Sequence, residues 1–63
     1  MSQLKLKRRP YAAWKNEVWD IVRGLPLTRA ATVIKRIADD SFAAGELTRR
    51  GRDAAYAWAD RIY

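Results

Sequence analysis

The sequence predicts an all-α fold, a compact three-helix domain, and three observations carry that prediction. Apolar residues recur at three- and four-residue steps in three separate stretches, the spacing that gathers side chains on one face of a helix. Glycine and proline fall between these stretches, where they close one helix and open the next. No run alternates apolar and polar residues for long enough to make a strand.

The first helix is expected near 10–23. Pro10 suits a first helical turn, where its missing N–H leaves nothing unpaired. Tyr11, Trp14, Val18, Ile21, Val22 and Leu25 then share a face, with Lys15, Asn16, Glu17, Asp20 and Arg23 opposite. Gly24 supplies the stop and Pro26 lies two residues beyond it.

The second helix is expected near 28–39, with Thr28 as its N-cap. Ala30, Ala31, Ile34, Ile37 and Ala38 form the apolar stripe, Val33 lies on its edge, and Arg29, Thr32, Lys35, Arg36 and Asp39 face outward. Asp39 and Asp40 would oppose the dipole at a helix C-terminus. They therefore predict a break near 39–41, followed by a short helical turn near 41–44 that ends at Gly45.

The third helix is expected near 47–62, with Leu47, Gly51, Ala54, Ala55, Trp58 and Ile62 on one face. Gly51 costs about 1 kcal/mol against alanine inside a helix. Two arrangements would account for it: a neighbouring backbone that approaches closely, or a helix capped by Thr48 with Gly51 still in its first turn. Residues 1–9 read as a basic flexible tail, and 10–63 as the single domain.

Size and composition narrow the function. A 63-residue chain buries only about 60% of its unfolded surface, so its core is marginal. The chain has no cysteine and no histidine, so neither disulfides nor ordinary zinc sites can reinforce it. Three Trp, three Tyr and one Phe must supply much of the packing, or the chain must pair with itself; a homodimer is expected. No stretch is apolar over the roughly 18 residues a membrane span requires, and no apolar segment follows the basic start as in a signal peptide. A cytoplasmic protein is expected.

Catalysis is not expected. Without His or Cys the remaining candidates are carboxylates, Lys and Tyr. Asp39 and Asp40 are adjacent, so on a helix they diverge by about 100°. Glu17 and Asp20 share a surface but have Lys15 and Arg23 beside them. Neither a dinucleotide nor a P-loop glycine motif is present. The expectation is a protein with no catalytic residue, cofactor, metal site or small-molecule substrate.

What remains is binding. Thirteen Lys and Arg against seven Asp and Glu give a formal charge of +6, which favours anionic partners: nucleic acid or an acidic protein surface. The candidate nucleic-acid contacts form three groups. Lys5, Lys7, Arg8 and Arg9 lie in the tail, Arg29, Lys35 and Arg36 on the second helix, and Arg49, Arg50 and Arg52 at the start of the third. Arginines at a helix start oppose its dipole, a placement an arriving anion would relieve. A helix–turn–helix is disfavoured because the 39–47 connection exceeds a three- or four-residue turn. The third helix also has no Asn or Gln to read adenine. Phosphate contact with little base specificity is therefore the leading expectation for a small regulatory or accessory protein.

The alternative is a protein-binding modulator or inhibitor, of the kind common among phage and plasmid accessory proteins. Trp19 lies about 140° from Trp14 around the first helix and cannot share its face. Trp19, Tyr56 and Tyr63 are the candidate interface aromatics, a residue class enriched at interface hot spots. Stacking on unpaired bases is a further use for such rings. The run Thr32–Ile37 with Asp53-Ala54-Ala55 is similar to stretches of small helical nucleoid modulators, which act by binding another DNA-binding protein. No site residue is carried over from that resemblance.

Overall fold

Proline opens each of the first two helices. In the computed structural model, which describes residues 9–62, α1 spans Tyr11–Val22, α2 Leu27–Ala43 and α3 Arg49–Ile62. Pro10 and Pro26 are the N-cap residues, with φ of −57° and −56°. Their carbonyls accept the first helical bonds, from the N–H of Trp14 at 3.1 Å and of Ala30 at 2.8 Å. Thr28, expected as the cap of α2, instead lies inside its first turn, where its carbonyl accepts the Thr32 hydroxyl at 3.2 Å. The fixed φ of Pro26 presets the helical start and brings it forward.

The break expected near 39–41 is absent. α2 runs through Asp39, Asp40 and Ser41 to Ala43, and so absorbs the turn expected at 41–44. Asp39 therefore stands before the last turn, where the dipole acts most strongly, and has a partner on α3, while Asp40 lies exposed within that turn. Gly45 ends the helix as expected. At φ 82° it takes the left-handed conformation that favours glycine. Its N–H bonds to the Phe42 carbonyl at 3.0 Å, and that of Glu46 to the Ser41 carbonyl at 2.9 Å, the paired bonds of a Schellman ending.

α3 begins at Arg49, two residues later than expected, because Thr48 caps it: its Oγ1 accepts the Gly51 N–H at 3.0 Å. The capping account of Gly51 therefore holds. No neighbouring backbone crowds the glycine; a β-carbon there would meet the Leu47 side chain at 3.4 Å, ordinary contact. The two glycines should consequently respond in opposite directions. Gly51→Ala is expected to raise stability by about 0.5–1 kcal/mol through helix propensity and a stiffer unfolded chain. Gly45→Ala is expected to lower it by about 1 kcal/mol or more, because alanine is strained at positive φ. Thermal melts of the two variants check the signs.

α2 and α3 pack antiparallel. Lys35 meets Asp60, Asp39 meets Tyr56, and Phe42 meets Arg52, so residue numbers rise on one helix as they fall on the other. Ala30, Ala31 and Ala38 of α2 and Ala55 and Ala59 of α3 are buried, and these small side chains let the helix axes approach. α1 contributes Trp14, Val18 and Val22 to the same core, which also holds Ile34 and Leu47. Ile21, expected on this face, is 60% exposed. The three-residue step from Val18 turns it about 60° off the Trp14–Val18–Val22 line. Trp14, 1% exposed, closes the core, and its indole N–H donates to the buried Ser41 hydroxyl at 2.9 Å.

Candidate nucleic-acid interface

Basic residues in this fold divide according to whether the domain already uses their charge. Arg9, expected in the tail, is held by the domain instead. Its backbone N–H donates to the Glu46 carbonyl at 2.9 Å. Its guanidinium pairs with Glu17 of α1 and, at 3.6 Å, with Glu46 in the α2–α3 connection. The hydrogen bond from Arg9 holds the Glu17 carboxyl below the ordinary carboxylate range and, reciprocally, raises the Arg9 pKa. Lys5, Lys7 and Arg8 lie outside the described residues. They precede Arg9 with no acidic residue among them, so they carry half of the formal +6.

Lys35 and Arg52 are also occupied. The Lys35 ammonium sits 3.1 Å from Asp60 and 5.5 Å above the Tyr56 ring. The Arg52 guanidinium lies 4.6 Å above Phe42. Both side chains clasp α3 to α2. Tyr56, expected as an interface ring, belongs to the same clasp: its hydroxyl donates to the Asp39 carboxylate at 2.9 Å, a bond that raises the phenol pKa. The depression bounded by Asp39, Arg52, Asp53 and Tyr56, about 460 Å³, is thus lined by groups that largely satisfy one another.

Four expected contacts remain exposed: Arg29, Arg36, Arg49 and Arg50. No described carboxylate lies within ion-pair distance of any of them. Arg29 and Arg36 are seven residues apart on α2, so they lie about 20° and 10 Å from one another on its outer face. Arg49 and Arg50 open α3 beside the C-terminal end of α2. No acidic residue occupies the first turn of any of the three helices, so nothing there offsets the positive end of the α3 dipole.

Sequence reasoning placed Arg61 in no binding group. It is exposed, likewise has no ion-pair partner among the described residues, and lies eleven residues after Arg50, about 20° away around the helix. That i,i+11 relation is readable in the sequence. Of the expected aromatics, Trp19 is 43% exposed, and Tyr63 lies outside the described residues. Among the described residues no three metal-ligating side chains converge, and no helix is long and apolar enough to cross a membrane. Compared with known protein families, with curated proteins and with solved structures, the chain matches none.

Proposed function

We propose that this protein is a non-enzymatic accessory protein that binds nucleic acid through phosphate contacts, with little base specificity. One observation carries the reading. Arg29, Arg36, Arg49 and Arg50 are exposed and lack ion-pair partners among the described residues, whereas Arg9, Lys35 and Arg52 are engaged within the domain. Guanidinium groups present two parallel donors that match phosphate oxygens. Lys5, Lys7 and Arg8 add sequence-independent charge. The absence of Asn and Gln from α3 leaves the paired reading of adenine without its usual donors.

A salt titration tests it. The logarithm of the binding constant for a mixed-sequence oligonucleotide should fall linearly with the logarithm of salt concentration, with a slope of about −0.9 per duplex phosphate neutralised. Affinity that does not change with salt, or no binding at low salt, overturns the reading. A homodimer is part of the same proposal. Ile21 and Leu27, 60% and 56% exposed, are apolar surface that a second copy would cover; sedimentation equilibrium showing only monomer removes that part.

A further inference from the structure

α1 and α3 leave an open groove between them. Lys15, Asn16 and Trp19 line one side, Trp58 and Ile62 the other, around about 300 Å³. Its surface is mainly apolar, yet it holds a cation. The Lys15 ammonium lies 5.0 Å from the Trp58 ring centroid, and no described carboxylate lies within ion-pair distance of it. The acids closest in sequence to the groove residues have other partners: Glu17 pairs with Arg9, Asp20 lies 3.7 Å from Arg23, and Asp60 pairs with Lys35.

Lys15 therefore covers Trp58, while Trp19 keeps a ring surface open. Their centroids are 6.4 Å apart, with the planes inclined by 56°, so neither ring stacks flat on the other. A ligand that fits must offer a flat apolar face to Trp19 and an anion to Lys15. The surroundings extend the anionic requirement. Arg61 is exposed and adjoins Ile62 of the groove wall in sequence. Arg50 continues the same strip of α3 about 16 Å farther along.

We propose that the groove takes an unpaired nucleobase of a single-stranded nucleic acid. The base lies on the Trp19 indole and its phosphate on Lys15, while Arg61 and Arg50 meet phosphates farther along the strand. The inference rests on the nucleic-acid reading above and narrows it from phosphate in general to a strand with exposed bases. A duplex keeps its base faces stacked internally and would leave the groove idle, whereas an unpaired base can stack on an aromatic ring whatever its sequence.

The test compares short oligothymidine with a mixed-sequence duplex of equal length at low salt, following anisotropy and tryptophan emission. Oligothymidine should bind more tightly than the duplex and quench emission. Trp19→Ala should weaken oligothymidine by about 10-fold, within the range for loss of one stacked base, and leave duplex binding unchanged. Trp19→Phe, which keeps a ring, should retain most of the affinity, and circular dichroism of both variants confirms the fold. If strand and duplex bind equally and Trp19→Ala alters neither, the groove inference fails while the phosphate reading stands. If neither ligand binds, both fail. If Trp19→Ala abolishes a protein complex but spares oligothymidine, the groove belongs to a protein partner and the inference is overturned.

Discussion

Trp14→Ala is expected to abolish the cooperative thermal transition of this domain. The side chain is the largest among the fully buried ones, and it connects α1 to α2 both by packing and by its hydrogen bond to Ser41. Truncating a buried Trp costs about 3–5 kcal/mol. A 63-residue domain has only about 3–9 kcal/mol of stability to lose, at the usual stability per residue. Far-UV circular dichroism during heating should therefore show a shallow, non-cooperative loss of helix. A sharp transition within a few degrees of the parent would show that Trp14 is not central to the core. The hydrogen bond can be separated from the ring. Ser41→Ala leaves a buried indole N–H without its acceptor, at about 1–3 kcal/mol. Trp14→Phe combined with Ser41→Ala should cost less than the two single changes added together, because the second removes a group the first has already orphaned.

Replacing Arg29, Arg36, Arg49 and Arg50 together by alanine should move binding and stability in opposite directions. Each side chain is exposed and without an ion-pair partner among the described residues, so each change should alter folding by no more than about 0.5 kcal/mol. Removing Arg49 and Arg50 takes like charge away from the positive end of α3, and alanine is the better helix former; the melting temperature should hold or rise. If each arginine neutralises one duplex phosphate, the salt slope should become shallower by about 3.6. Paired melts and salt titrations read both effects. An unchanged slope, with the fold intact, would remove these four residues from the interface. Lys35→Ala and Arg52→Ala offer a contrast, since both should loosen the α2–α3 clasp first.

Much of this was legible in the sequence because it depends on local spacing. The Trp14–Val18–Val22 line, the stop after it, the separation of Trp19 from Trp14, and the pairing of Thr48 with Gly51 all follow from helical geometry over a few residues. The helix continues through Asp39–Asp40 because α3 counters the local dipole penalty. The Tyr56 hydroxyl, seventeen residues away, gives Asp39 a place within a continuing helix. Nothing local marks Ser41 as the acceptor for Trp14, or ties Arg9 to Glu17 and Glu46; both depend on how three axes cross. The candidate interface was legible as residue types only. Which arginines remain available depends on which ones the α2–α3 and Arg9 clasps consume.

The Trp14–Ser41 bond also gives the molecule an internal clock. An indole proton buried between two helices and already donated cannot trade with solvent deuterium until those helices part. The Trp14 Nε1 signal in deuterated buffer should thus decay in proportion to the fraction of time α1 spends parted from α2. Trp19, on the same helix but 43% exposed, should lose its proton far sooner. Two indoles five residues apart would then separate the breathing of the core from the wetting of the surface, with no label added.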